Sequence, residues 1–104
     1  MGRELGDQPD IAAGVYMQIG DTYFNLRRDA EAIRNYRSAL ACYRRIEQPD
    51  KSRLAVCLGS LGAALSYRDN EEGLTLQREA LEIRREVYGN NPLRVAESMH
   101  GLAF

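Results

Sequence analysis

Apolar residues recur every three or four positions along most of this chain, the spacing of one face of an α-helix. Ile11, Ala12, Val15, Ile19, Tyr23 and Leu26 form the first such stretch, with Tyr16 and Met17 beside them. Arg27-Arg28-Asp29 interrupts it as a polar turn. A second helix is expected from Ala30 to Ile46, with Ala32, Ile33, Tyr36, Ala39, Leu40 and Tyr43 on one face. Gln48-Pro49-Asp50 stops it, because proline cannot continue a helix and restricts the residue before it. The pair then repeats. Leu54 to Tyr67 carries Leu54, Leu58, Leu61 and Leu65; Arg68-Asp69-Asn70 is the turn; Glu71 to Tyr88 carries Leu74, Leu76, Leu81, Ile83 and Val87. Gly89-Asn90-Asn91-Pro92 is a helix stop, a glycine just past the end with a proline soon after. A fifth helix is expected from Leu93. No alternating β-branched run or hairpin dipeptide is present, so no strand is expected.

The recurrence is a true internal repeat. Tyr16-x2-Ile19-Gly20-x2-Tyr23 followed by Ala32-x3-Tyr36-x2-Ala39 returns as Leu58-x2-Leu61-Gly62-x2-Leu65 followed by Ala80-Leu81. It begins again at Met99-x2-Leu102. Gly20 and Gly62 are 42 residues apart, and Ala39 and Ala80 are 41 apart. Gly20 and Ala32 are small where the two helices of a pair are expected to approach, with Tyr16, Tyr23 and Tyr36 filling the space around them. Counting from Gly62 to Ala80 gives a second turn one residue shorter than the first. By that count Gly73 falls beside the helix contact, where a glycine inside a helix costs about 1 kcal/mol relative to alanine. A lone helix pair cannot bury both of its faces, so such units stack, and stacked units usually bind rather than catalyse.

These residues resemble the tetratricopeptide repeat, and the first unit, Tyr16 to Ala39, carries the resemblance most closely. The long period, the second helix extended past Ala39, and the segments Gln8-Pro9-Asp10-Ile11-Ala12 and Ala80-Leu81-Glu82-Ile83-Arg84 are similar to the kinesin light chain type of that repeat. The resemblance implies an all-α solenoid, an α-α superhelix of two helical hairpins plus a partial third. Residues 1–8 would be the tail of a preceding unit, 9–48 the first repeat, 49–91 the second and 92–104 the first helix of a third. It also implies a concave groove lined by first helices that holds an extended peptide or a partner helix. The groove-facing positions carried over are Gly14, Met17, Gln18, Asp21, Phe24 and Asn25, then Val56, Gly59, Ser60, Ala63, Ser66 and Tyr67. Of these, Met17, Gln18, Asp21, Phe24, Asn25, Ser60 and Tyr67 are the candidate contacts. Kinesin light chain repeats usually carry paired asparagines before the Leu-Gly of each first helix, to clamp peptide backbone. Here those places read Met17-Gln18, Gly59-Ser60 and His100-Gly101, so only Gln18 keeps an amide.

Composition narrows the function further. The chain has 104 residues, 44% of them hydrophobic and 28% charged, with a formal net charge of −1. That is ordinary for a soluble globular domain and gives no overall field toward nucleic acid or an anionic membrane. Lys51 is the only lysine, and the remaining basic residues are arginines. Arg27, Arg28, Arg34, Arg37, Arg44 and Arg45 cluster on the first pair, but no aromatic residues interleave for base stacking and Asp29, Glu31 and Glu47 dilute the charge. The two cysteines, Cys42 and Cys57, fall at apolar helix positions and read as reduced core residues. No apolar run reaches the length of a membrane span.

Catalytic chemistry has little support. His100 is the only histidine, no Cys-x2-Cys or His-x3-His spacing occurs, and Gly59-Ser60-Leu61-Gly62 lies inside a helical pattern with no strand before it. Glu71, Glu72, Glu79, Glu82 and Glu86 share the fourth helix with Arg78, Arg84 and Arg85, and Glu82, four residues from Arg78 and three from Arg85, has the spacing of ion pairs on a solvated helix face. The expectation is therefore a non-enzymatic, cytoplasmic scaffold that binds a protein or peptide, with no cofactor, metal, nucleic acid or membrane. Arg3-Glu4-Leu5-Gly6-Asp7-Gln8-Pro9 resembles Arg85 to Pro92, which suggests a piece of a longer array with open apolar ends and a tendency to self-associate. A peptide-sensing regulatory domain and an accessory array of a larger enzyme are the alternatives.

Overall fold

The computed structural model describes residues 8–66 and 70–89. They form four helices: α1 (Pro9–Asn25), α2 (Asp29–Arg44), α3 (Lys51–Leu65) and α4 (Asn70–Tyr88). The chain divides between Pro49 and Asp50 into two compact units, one holding α1 packed on α2 and the other α3 packed on α4. Each is a helical hairpin, and no strand occurs among the described residues. The expected fifth helix, Tyr67 and the short turn at 68–69 lie outside the described residues.

Local chemistry sets the helix ends. Proline at the first helical position starts α1 two residues earlier than the apolar spacing predicts, since its missing N–H has no intrahelical role there. The first helix ends in a Schellman motif: Arg28 N–H donates to Tyr23 O at 2.9 Å and Arg27 N–H to Phe24 O at 3.0 Å. That motif needs a left-handed residue, and Arg27 supplies it at φ 63° where glycine is the usual choice. At its C-terminus α2 closes sooner than predicted. Arg45 and Ile46 N–H turn back to Cys42 O and Tyr43 O, both at 3.1 Å, which tightens the last turn. Asp50 caps α3, its side chain accepting from Arg53 N–H at 3.2 Å, so that helix begins at Lys51 rather than Leu54. Gly89, at φ 65°, ends α4 as the sequence predicts.

The first unit buries Ala12, Ala13, Ala32, Ile33, Tyr36, Ala39, Cys42 and Tyr43. Gly20 lies against the Tyr36 ring: a Cβ there would stand 2.6 Å from Cε1 of the ring. The Tyr36 hydroxyl donates to Asp21 Oδ1 at 2.6 Å, which satisfies the polar end of a residue only 1% exposed. The second unit buries Ala55, Cys57, Leu58, Leu61, Ala64, Leu65, Leu76 and Ala80. Here the helices meet backbone to backbone. A Cβ on Gly62 would stand 2.8 Å from Gly73 O, and one on Gly73 would stand 2.7 Å from Gly62 O. Gly73 therefore sits on the helix contact, not beside it as the turn count predicts. Lys51 Nζ reaches Glu86 Oε1 at 3.4 Å, linking the start of α3 to the end of α4. Both cysteines are buried, and neither forms a disulfide.

Candidate partner-binding face

The side of α1 that packs on α2 is made of small and aromatic residues, Ala12, Ala13 and Gly20 being fully buried with Tyr16 and Tyr23 half-buried. Turning about the helix axis from there brings up a different chemistry. Met17, Gln18, Asp21, Phe24 and Asn25 follow one another at steps of one, three or four, so they share a face. Gln18, Asp21 and Asn25 are exposed, while Met17 and Phe24 are half-buried. This face mixes three polar groups with two large apolar ones. Gly14, one turn before Gln18, has no side-chain or remote backbone atom within 4 Å of where its Cβ would stand, so the face stays open at that point.

Two of these positions are tied into the fold. The Asp21 carboxylate accepts the Tyr36 hydroxyl, which fixes its direction and leaves its second oxygen as the group with acceptor capacity to spare. The Gln18 carbonyl accepts from Thr22 Oγ1 at 3.0 Å, on the helix's own surface, and this leaves the Gln18 amide side chain unaffected. Gln18 and Asn25 each offer a donor and an acceptor, the pair of functions that an extended peptide backbone requires.

In the second unit the equivalent face of α3 is sparse. Ser60 is half-buried and follows Gly59. Beside it the structure adds a residue that the sequence reading placed on a solvated ion-pair face. The Arg84 guanidinium of α4 lies over Gly59, with its terminal nitrogens 3.6 and 3.9 Å from the position of a Cβ there. One signal pointed to it. Arg84 is four residues after the fully buried Ala80, hence on the side of α4 that faces α3. Tyr67, the last candidate, lies outside the described residues.

Among the described residues no cluster of three or more His, Cys, Asp or Glu side chains is placed to hold a metal ion. No helix among them is long and apolar enough to cross a membrane. Arg34, Arg37 and Arg44 are exposed on α2, and Arg28 pairs with Glu31 at 3.7 Å.

A family model described as tetratricopeptide repeat matches residues 12–50 and again residues 54–93. The two matches start in step with Gly20 and Gly62, the glycines of the two helix contacts. No curated protein and no solved structure matches the chain significantly.

Proposed function

Because the chain belongs to the tetratricopeptide repeat family, whose repeats are in general non-catalytic protein-interaction modules, we propose that it holds a peptide or helix of a partner protein against the open face of α1. The observation that carries this reading is the mixed face itself: Gln18, Asp21 and Asn25 exposed beside Met17 and Phe24. A peptide backbone held away from water must have its N–H and C=O groups paired, at about 1–3 kcal/mol for each one left unsatisfied. The Gln18 and Asn25 amides supply both functions about two turns apart along the helix. Met17 and Phe24 supply apolar contact beside them. In the second hairpin, taken by itself, the Arg84 guanidinium beside Gly59 favours an acidic residue in a bound segment.

Selection of binders from a random peptide display library against the purified chain tests this. Peptides recovered on the unaltered chain are then measured by calorimetry against Gln18→Ala/Asn25→Ala and against Arg34→Ala, whose exposed side chain lies on α2. A loss of tenfold or more in the α1 double variant, with affinity kept in Arg34→Ala, is the expected result. Equal affinity for both variants removes the α1 face as the site.

A further inference from the structure

The two hairpins differ at a pair of positions in a way that leaves a charge without a counter-ion. Counting 42 residues along the first helices, as from Gly20 to Gly62, matches Met17 with Gly59. Counting 41 along the second helices, as from Ala39 to Ala80, matches Tyr43 with Arg84. Tyr43 is a core residue of the first hairpin, 4% exposed. The second hairpin has a guanidinium at that repeat position, and glycine at the position it lies over. The terminal nitrogens of Arg84 are 3.6 and 3.9 Å from where a Cβ on Gly59 would stand, so the charged end of the side chain is held against α3.

No anion of the second hairpin meets it there. The one-turn neighbours of Arg84 on α4 are Ala80, Leu81, Val87 and Tyr88. Glu82 and Glu86, two residues to either side, point to another side of the helix, and Glu86 reaches Lys51 at 3.4 Å. From Lys51 to Leu65, α3 contains no acidic residue. Among the described residues Arg84 forms no ion pair. Arginine cannot shed its proton to escape the cost of partial burial, and a charge taken from water without a partner destabilises the fold that holds it. Binding an opposite charge removes that cost.

We propose that Arg84 anchors one carboxylate of the bound segment beside Gly59. Such an anchor rests on the reading that the chain holds a segment of a partner protein, and it adds the group by which the second hairpin selects that segment. The charge count favours a carboxylate over a phosphate monoester. One guanidinium balances one carboxylate, whereas a phosphate brings about 1.5 to 2 charges at neutral pH. A second cation is not at hand. Arg85 points about 100° away round α4. Lys51 and Arg53, the basic residues of α3, stand in its first turn and pair with Glu86 and Asp50. The carboxylate can come from an aspartate or glutamate side chain or from the segment's own C-terminus.

Calorimetry on peptides selected from a random display library against the full chain tests the anchor through a thermodynamic cycle. In each peptide the acidic side chains are changed to amides and the C-terminus is capped as an amide, one at a time. Every peptide is titrated into the unaltered chain and into Arg84→Met, which keeps an unbranched stem and drops the charge. One of the changes is expected to cost about tenfold or more on the unaltered chain and less than about twofold on Arg84→Met. Which change it is identifies the source of the carboxylate. Urea unfolding gives a second readout: Arg84→Met should be at least as stable as the unaltered chain, because an unpaired charge is gone. A variant that is less stable yet equal in affinity marks a packing arginine and overturns the proposal. Should Arg84→Met fail to fold, Arg84→Lys takes its place and should lose affinity in the same cycle, since it lacks the bidentate fork. Peptides that depend on Gln18 and Asn25 but are indifferent to Arg84 overturn the anchor and leave the α1 face standing. Peptides that depend on Arg84 alone do the reverse. A chain that selects no peptide overturns both.

Discussion

In the first hairpin Gly20 lies under the ring of Tyr36, whereas in the second Gly62 lies against the backbone of Gly73 and the stem of Gln77. Tyr36 and Gln77 occupy the same repeat position, as do Ala32 and Gly73. A flat ring fills the space above a glycine, and its hydroxyl is held by Asp21. With glutamine in place of the ring, the helices approach until backbone meets backbone, which requires glycine on both sides. The two differences thus belong together: Gln77 stands where the first hairpin has the Tyr36 ring, and Gly73 where it has Ala32. The same contrast extends to the outer faces. The α1 face carries two amides, a carboxylate and two large apolar groups, whereas α3 offers Gly59, Ser60 and a guanidinium from α4. One repeat pattern can therefore be satisfied by two kinds of helix contact and display two kinds of surface.

Substitution at the contacts breaks this comparison most severely. Tyr36→Ala removes a buried ring and its hydrogen bond, and is expected to cost about 3–5 kcal/mol in urea unfolding. Gly73→Ala comes next, and its sign is the informative part. Helix propensity alone would make it stabilising by about 1 kcal/mol. The new Cβ would stand 2.7 Å from the Gly62 carbonyl oxygen, a backbone atom with little room to move. A net loss of about 2 kcal/mol is expected from the overpacking, and a gain would refute the backbone contact. Gly14→Ala is the matched control, because its Cβ meets nothing within 4 Å. It should raise stability by up to about 1 kcal/mol.

Gly20→Ala and Gly62→Ala sharpen the contrast further. The first conflicts only with a side chain, so adding Tyr36→Leu should recover part of the loss in a double-mutant cycle. The second conflicts with the Gly73 carbonyl as well as with the Gln77 stem, so Gln77→Ala should recover less than Tyr36→Leu does in the first hairpin. Smallest of all is the helix-end pair. Arg27→Gly relieves a left-handed arginine and should stabilise by about 0.5–1 kcal/mol, while Asp50→Ala removes the α3 cap and should cost about 1 kcal/mol. Thermal melts in which the two changes have the same sign would contradict the assigned end geometries.

The helices and their stops were legible because each rests on local signals: three-and-four spacing, Pro49, and Gly89 with its positive φ. Asp50 was not, because the residues that end α2 also begin α3 and one signal hid the other. Arg27 was read as part of a turn, but nothing in its chemistry shows which turn residue takes the left-handed backbone. Gly73 was misplaced by counting through the turn. The second helices keep step with each other, Ala32 with Gly73 as Ala39 with Ala80, whatever the turn does. Arg84 was read by its charge and not by its distance from Ala80. The mixed face of α1 was legible through the family resemblance, but the Tyr36 hold on Asp21 joins residues fifteen apart and emerges only from the packing.

Amide chemical-shift mapping of the labelled chain, titrated with a peptide selected against it, tests the central claim most directly. The account predicts shifts centred on Met17, Gln18, Asp21, Phe24 and Asn25, with the outer residues of α2 at Arg34, Arg37 and Ser38 undisturbed. Shifts centred on α2, with the α1 face silent, would contradict it.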